Sequence, residues 1–481
     1  MIRNNLAKLL ILGAVMTIAT AAHAADAKRP VPRFEKAECA VQVVPGERIE
    51  CGFLYVPENR RKARSRTISL PVMIFRSTGA APAADPVVYL PGGPGLSSID
   101  GRTTGKGNPF LMERDQILLE GRGNKFARPS LACPDINVLR AQNAAHAMQT
   151  AAVARCRAAL VASGVDLDGY TSAEAADDLD DLRRLLGIRQ WNLIGFSYGT
   201  RLAQTVLQRH PEGVRSVVLD SVLPIDVDYE ETAASSLRRA IDALLAGCAN
   251  DPDCDTRYPD LRARFAKLVA DADRTGVAAP DRVLRGRDVV DAVGAGLQQP
   301  AVIPALPRII SEAAEGRLTG LLPLTRQAPS SFNWGLRLSI WCDEEMPFET
   351  ASRMASQTSP ALGLGGVDNR TATPAMCAAW RVSPADAMAN EPVKSDVPVL
   401  ILAGEFDPVT PPAWGCRLLR TMPNARFVQI PGQSHGAMFN RCGGQVTLAF
   451  LHDPAAPLSG DCIAKLPGTV FVLDTGTAAQ P

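Results

Sequence analysis

Short apolar runs that end on glycine, proline or an acid punctuate the chain, and helical periodicities fill the gaps between them. Residues 87–90 run into Pro91-Gly92-Gly93-Pro94-Gly95, and 116–119 into Glu120-Gly121-Arg122-Gly123. Residues 191–194 meet Gly195, 217–219 meet Asp220, 399–402 meet Ala403-Gly404, and 426–430 meet Pro431-Gly432. Apolar runs this short, closed by turn residues, predict strands buried on both faces. Between them, residues 177–186 carry leucines three and four apart, with acids first, arginines last and Gly187 as stop. That is the order the helix dipole and C-cap favour. Alternating strands and helices predict a mostly parallel sheet covered on both faces.

From residue 225 to 391 the pattern changes. Buried-strand runs give way to Ala- and Arg-rich helical stretches such as Leu306 to Ala314. This segment reads as a helical insertion between two parts of the sheet domain, and as a lid, because ligands of α/β sheets bind at the strands' carboxyl edge. The plan is therefore a leader over 1–24, a first core part over 25–224, a cap over 225–391, and a second core part over 392–481.

Composition narrows the class. With 46% hydrophobic and 21% charged residues and a net charge of +1, the 481-residue chain is ordinary for a globular protein. No basic face points to nucleic acid. The leader has Arg3 and Lys8, then an apolar stretch from Leu9 to Ala21 and the small-x-small site Ala22-His23-Ala24. It predicts export to the periplasm or medium, with cleavage leaving no stable membrane insertion. The eleven cysteines follow the leader and show no zinc spacing, so disulfides are expected and a metal is not. Sequence neighbours suggest Cys39–Cys51, Cys133–Cys156, Cys248–Cys254, Cys342–Cys377 and Cys442–Cys462, leaving Cys416 as a buried free thiol.

Gly195-Phe196-Ser197-Tyr198-Gly199 matches G-x-S-x-G between an expected strand and an expected helix over 200–209. Glycines are needed there because side chains would strike the neighbouring strand and helix, and the sharp turn holds the hydroxyl at the sheet's edge. A serine needs a base, itself oriented by an acid. After the leader the histidines are His146, His210, His435 and His452. Of these only His435 lies in a loop just past an expected strand. Asp407 follows the strand before it, with Glu405 as rival acid, and the order Ser, Asp, His is that of the α/β-hydrolase fold. The amide of Tyr198 and one from the glycine turn, assigned to Gly93, are the expected oxyanion donors. Asp251, Asp253 and Asp255 do not make a calcium loop, since Thr256 and Arg262 stand where Gly and Glu are required.

Gly-Gly-Pro-Gly at 92–95, Gly-Phe-Ser-Tyr-Gly-Thr at 195–200 and Gly-Glu-Phe-Asp-Pro-Val-Thr-Pro at 404–411 resemble the proline iminopeptidase and tripeptidyl aminopeptidase group of α/β hydrolases. So do residues 51–57 and the Cys-containing end, which place the likeness in the exported, tripeptidyl aminopeptidase-like branch with its TAP-like C-terminal region. The resemblance implies the triad Ser197, Asp407 and His435, a helical cap, and release of residues from free peptide N-termini. It also implies an acid just after a cysteine to hold the substrate amine. Glu344 aligns best with that acid and Glu345 is its neighbour, while a solvated acidic turn is the plainer reading. Two departures stand out: Pro91 replaces a common His, and Glu120 to Phe126 differs from the usual Asp-x-Arg-Gly-x-Gly-x-Ser.

The chain thus reads as an exported, cofactor-free serine hydrolase acting on a short peptide. A carboxylesterase or amidase using the same triad is the alternative, and a catalytically silent binding protein stands behind it. The sequence does not set the oligomeric state.

Overall fold

The computed structural model describes residues 31–326, 330–357, 363, 371–458 and 461–473; the leader lies outside them. Nine strands form one sheet in the order β1-β2-β3-β5-β4-β6-β7-β8-β9. They are β1 (Arg33–Lys36), β2 (Ile49–Pro57), β3 (Thr67–Phe75), β4 (Val87–Leu90), β5 (Gln116–Leu119), β6 (Trp191–Phe196), β7 (Val214–Asp220), β8 (Val399–Gly404) and β9 (Ala425–Ile430). β1, β2, β3 and β5 pair antiparallel, and from β5 through β4 to β9 every pairing is parallel. The six runs picked out by hydropathy are β4 to β9. The antiparallel hairpin β2–β3 was not expected, because Pro71 interrupts the run at 67–75. Pro71 is tolerated because β5 pairs only with Val72–Phe75 and stops short of it.

In chain order the main helices are α1 (Pro134–Ala141), α2 (His146–Ala162), α3 (Ser172–Leu185), α4 (Tyr198–Arg209), α5 (Ala233–Asn250), α6 (Leu261–Thr275), α7 (Gly286–Leu297), α8 (Leu306–Ala314), α9 (Trp334–Glu344), α10 (Pro374–Trp380), α11 (Pro412–Leu418) and α12 (Arg441–His452). α3 begins five residues ahead of the leucine pattern, because the Thr171 side chain accepts the Glu174 N–H and caps it. It stops before Gly187, whose φ of 68° suits glycine. Sheet strands and α3 and α4 bury Val88, Leu193, Val217, Ile401, Leu179 and Val206 in one core.

The stretch from 225 to 391 is helical but packs as two bodies. α5 to α8 close on their own core of Leu237, Ile241, Phe265, Val293 and Ile310. α9 and α10 pack instead on α1 and α2 through Trp334, Trp341, Trp380, Ile136 and Val153. The five disulfides join the cysteine pairs suggested by sequence order. Cys416 is a free thiol but an exposed one, contrary to expectation. It faces outward on α11, whose inward side is taken by Trp414 and Leu418. Among the described residues no helix is long and apolar enough to cross a membrane.

Candidate active site

The parallel strands all present their carboxyl ends to one edge of the sheet. The glycine turn follows β4, Ser197 follows β6, Asp407 follows β8 and His435 follows β9. Topology alone thus gathers residues nearly 350 positions apart along the chain.

Ser197 sits between β6 and α4 with φ 55° and ψ −123°, a left-handed conformation rare outside glycine. The flanking glycines are forced by space. A Cβ on Gly195 would lie 2.5 Å from the Gly199 carbonyl oxygen, and one on Gly199 would lie 2.0 Å from that of Leu90. Tyr198 opens α4, so its N–H has no acceptor inside the helix. Its ring is buried, with the hydroxyl 2.7 Å from Ser172 Oγ.

The glycine turn is held from three sides. A Cβ on Gly92 would come 3.1 Å from Ser197 Cβ, so the turn lies directly against the serine. Arg337 of α9 donates to the Gly93 carbonyl at 2.7 Å, and the Asn333 N–H donates to that of Gly95 at 2.8 Å. Glu120 accepts from Ser97 Oγ at 2.8 Å and the Ser98 N–H at 3.0 Å, so its carboxylate anchors the end of the turn. Arg122 makes a buried two-point bond to Asp178, at 2.7 and 2.6 Å. The altered 120–126 stretch therefore still builds a rigid support.

His435 Nδ1 stands 2.9 Å from Asp407 Oδ2. Asp407 is fully buried and also accepts the Val409 and Thr410 N–H groups at 2.8 and 2.9 Å and Thr410 Oγ1 at 2.7 Å. Burial works to raise the Asp407 carboxyl, but the charge and hydrogen bond of His435 outweigh it and hold the group below its ordinary value. His435 moves oppositely: burial disfavours its cation, and Asp407 more than restores it, so the imidazole is raised. Phe196 packs on the His435 ring, centroids 5.0 Å apart. Glu405, the rival acid, accepts the Gly432 N–H at 2.9 Å instead of meeting His435.

Glu344 and Glu345 are placed otherwise than a free amine site requires. Glu344 accepts the Ser172 N–H at 2.5 Å and Ser172 Oγ at 2.7 Å, and lies 3.4 Å from Arg201 Nε. Glu345 pairs with the same guanidinium at 2.5 Å. All three side chains are buried, so this is no solvated turn; the two acids share one buried cation, and burial pushes Glu345 up to about 8.

Sequence reasoning missed Asp220, Ser221 and Thr410, which bind the serine and histidine loops, and Arg239 and Arg337 of the stretch between 225 and 391. Arg239 of α5 donates to the Glu405 and Asp407 carbonyls at 3.0 and 2.8 Å. A buried strand ending on an acid, at Asp220, was the one available signal. Among the described residues, Asp180, His210 and Glu212 could approach one ion, yet Asp180 is paired with Arg183 and Arg184 at 2.7 Å each. That group sits at the far end of α4 from Ser197.

A serine on a strained strand-to-helix turn and a buried Asp407 holding a part-buried His435, at one edge of a mostly parallel sheet, define the class: the chain has the α/β-hydrolase fold. It matches the alpha/beta hydrolase fold family over residues 85–257 and the TAP-like protein family over 366–462. Among particular proteins, it is similar to serine protease Hip1 of Mycobacterium tuberculosis, 25% identical over 94% of this chain and 95% of that one. Tripeptidyl aminopeptidase of Streptomyces lividans is 28% identical over 39% of this chain and 37% of its own. Proline iminopeptidase of Xylella fastidiosa is 29% identical over 24% of this chain and 37% of its own.

Proposed function

We propose that the protein is an exported serine peptidase working through an acyl-enzyme on Ser197. The observation that carries this reading is buried Asp407 holding part-buried His435 at 2.9 Å, on the sheet edge that also bears the strained Ser197. His435 takes the serine proton as Oγ attacks the substrate carbonyl, and Asp407 fixes the imidazole tautomer and stabilises the imidazolium. The Tyr198 N–H and the amide of Gly93 receive the developing oxyanion. His435 then protonates the leaving amine, and water releases the acyl group by the same steps reversed. The helices between 225 and 391 cap the site, and the five disulfides and the apolar leader fit an oxidising compartment outside the cytoplasm.

Aminopeptidase action on short peptides is the first reading of substrate, on the likeness to tripeptidyl aminopeptidase and proline iminopeptidase. One observation favours a second reading. With Glu344 and Glu345 bound to Arg201, the expected amine-holding acids are not free, which suits a peptidase or carboxylesterase indifferent to the substrate's N-terminus. Matched free and N-acetylated aminoacyl, dipeptidyl and tripeptidyl anilides, with short-chain nitrophenyl esters, separate the two. Cleavage lost on acetylation establishes the aminopeptidase. Cleavage unaffected by acetylation, or of esters alone, establishes the second reading.

A further inference from the structure

We propose that Asp220-Ser221, at the carboxyl end of β7, is a positioning element that holds the serine turn and the His435 loop together, with the Asp220 carboxylate as its charged grip. The inference rests on the reading of Ser197, Asp407 and His435 as the reacting residues.

β7 lies between β6 and β8, so Asp220 is flanked by Phe196 on one side and Leu402 on the other. Its carbonyl accepts the Ser197 N–H at 3.0 Å, and the Ser221 N–H donates to the Leu402 carbonyl at 2.9 Å. The side chains reach the third loop. Asp220 Oδ1 and Oδ2 accept the Ala437 and Met438 N–H groups at 2.9 and 3.0 Å, and Ser221 Oγ accepts that of Gly436 at 2.8 Å. Three successive amides immediately after His435 thus all point at two residues. The imidazole is fixed through Asp407, and its backbone through Asp220 and Ser221. Ser221 has φ 59°, an uncommon conformation for a side-chain-bearing residue and one that clusters at functional positions.

The chemistry of the grip needs a carboxylate. Two amide N–H groups require two acceptor atoms. Asparagine supplies one oxygen and turns an NH2 toward the other donor, and a protonated acid does the same with its O–H. Asp220 is fully buried and, among the described residues, has no Arg or Lys partner. The ionisable groups facing it are His435 after β9, Asp407 after β8 and Tyr89 on β4, with Arg102 5.8 Å over the Tyr89 ring. The cation that acts on it is therefore the His435 imidazolium, which forms when the serine gives up its proton and, in the resting protein, on acidification. A second negative charge behind the histidine favours that state. Burial pushes the Asp220 carboxyl up to about 7, so acidification through that value removes both the grip and the charge.

The test is the rate of Ser197 labelling by a fluorophosphonate, read by intact mass from about pH 5 to 9, in the wild type, Asp220→Asn and Ser221→Ala, with melting curves for each. Asp220→Asn is expected to slow labelling about tenfold or more and to move the acidic limb of the profile to lower pH, because His435 loses a neighbouring negative charge. Ser221→Ala removes one neutral acceptor, so it slows labelling by less and leaves the limb in place. A folded Asp220→Asn protein with the wild-type rate and limb overturns the proposal, as does a slowed one whose limb has not moved. If Asp220→Asn does not fold, a wild-type rate in Ser221→Ala overturns it. Wild-type labelling at a residue other than Ser197 would instead overturn the reading beneath it.

Discussion

The carboxyl edge of the sheet and the helical stretch between 225 and 391 are built on opposite principles. At the edge each key residue is dictated locally: Gly195 and Gly199 are there because a Cβ would strike backbone within 2.5 Å. Asp407 and His435 each lie within a few residues of the strand that delivers them. In the helical stretch the important contacts are long-range and chosen by charge. Arg201 of α4 holds Glu344 and Glu345, Arg337 holds the Gly93 carbonyl, and Arg239 holds the turn of Asp407. The edge gathers Ser197, Asp407 and His435, whereas the helices between 225 and 391 supply two cations, Arg239 and Arg337, that hold loop carbonyls at that edge.

The sharpest way to break that contrast is to remove a group from each side. Ser197→Ala should cut hydrolysis by about 10⁴-fold or more while leaving the melting temperature within a few degrees of the wild type. An equal loss of stability would mean that the serine turn is structural. Arg201→Met should do the reverse. It strands the buried acids Glu344 and Glu345 without their cation and should cost about 3–5 kcal/mol in denaturant unfolding, with the active-site geometry lost only as the fold is lost. Arg337→Met sits between these extremes. It frees the Gly93 carbonyl, so kcat should fall about tenfold with little change in KM, and Arg337→Lys should restore little, because a single ammonium cannot hold both Gly93 and Thr371.

Acidity gives the smallest and most diagnostic effect. The Asp407 carboxyl is held below its unfolded value, so its stabilisation is present above about pH 4 and is lost as pH falls through the depressed folded value. His435 is raised, so its contribution is full below about pH 6.5 and fades as pH climbs through the folded value. Melting temperature against pH in Asp407→Asn should lose both dependences together. A profile identical to the wild type would show that the pair is not coupled in solution.

The sheet edge was legible in the sequence because its constraints are short-range. Six apolar runs gave β4 to β9, and the glycine spacing around Ser197 follows from one steric demand. The order of Ser197, Asp407 and His435 then needed only the rule that parallel strands share a carboxyl edge. β2 and β3 escaped because Pro71 breaks a run that is buried all the same. Glu344 and Glu345 look like free acids beside a cysteine until Arg201, more than 140 residues earlier, is seen between them. Nothing in the local pattern announces that pairing. Nor does it announce that residues 225–391 divide between two cores, since both halves are written in the same helical periodicity.

The central claim is that His435, held by Asp407, activates Ser197. Its most direct test is fluorophosphonate labelling of the purified protein with peptide mapping of the adduct, compared among wild type, Asp407→Asn and His435→Ala. The account predicts one adduct, on Ser197, forming rapidly in the wild type and slower by several orders of magnitude in both variants. Labelling of Ser197 at wild-type speed without His435, or no labelling of Ser197 at all in the folded wild type, would contradict it.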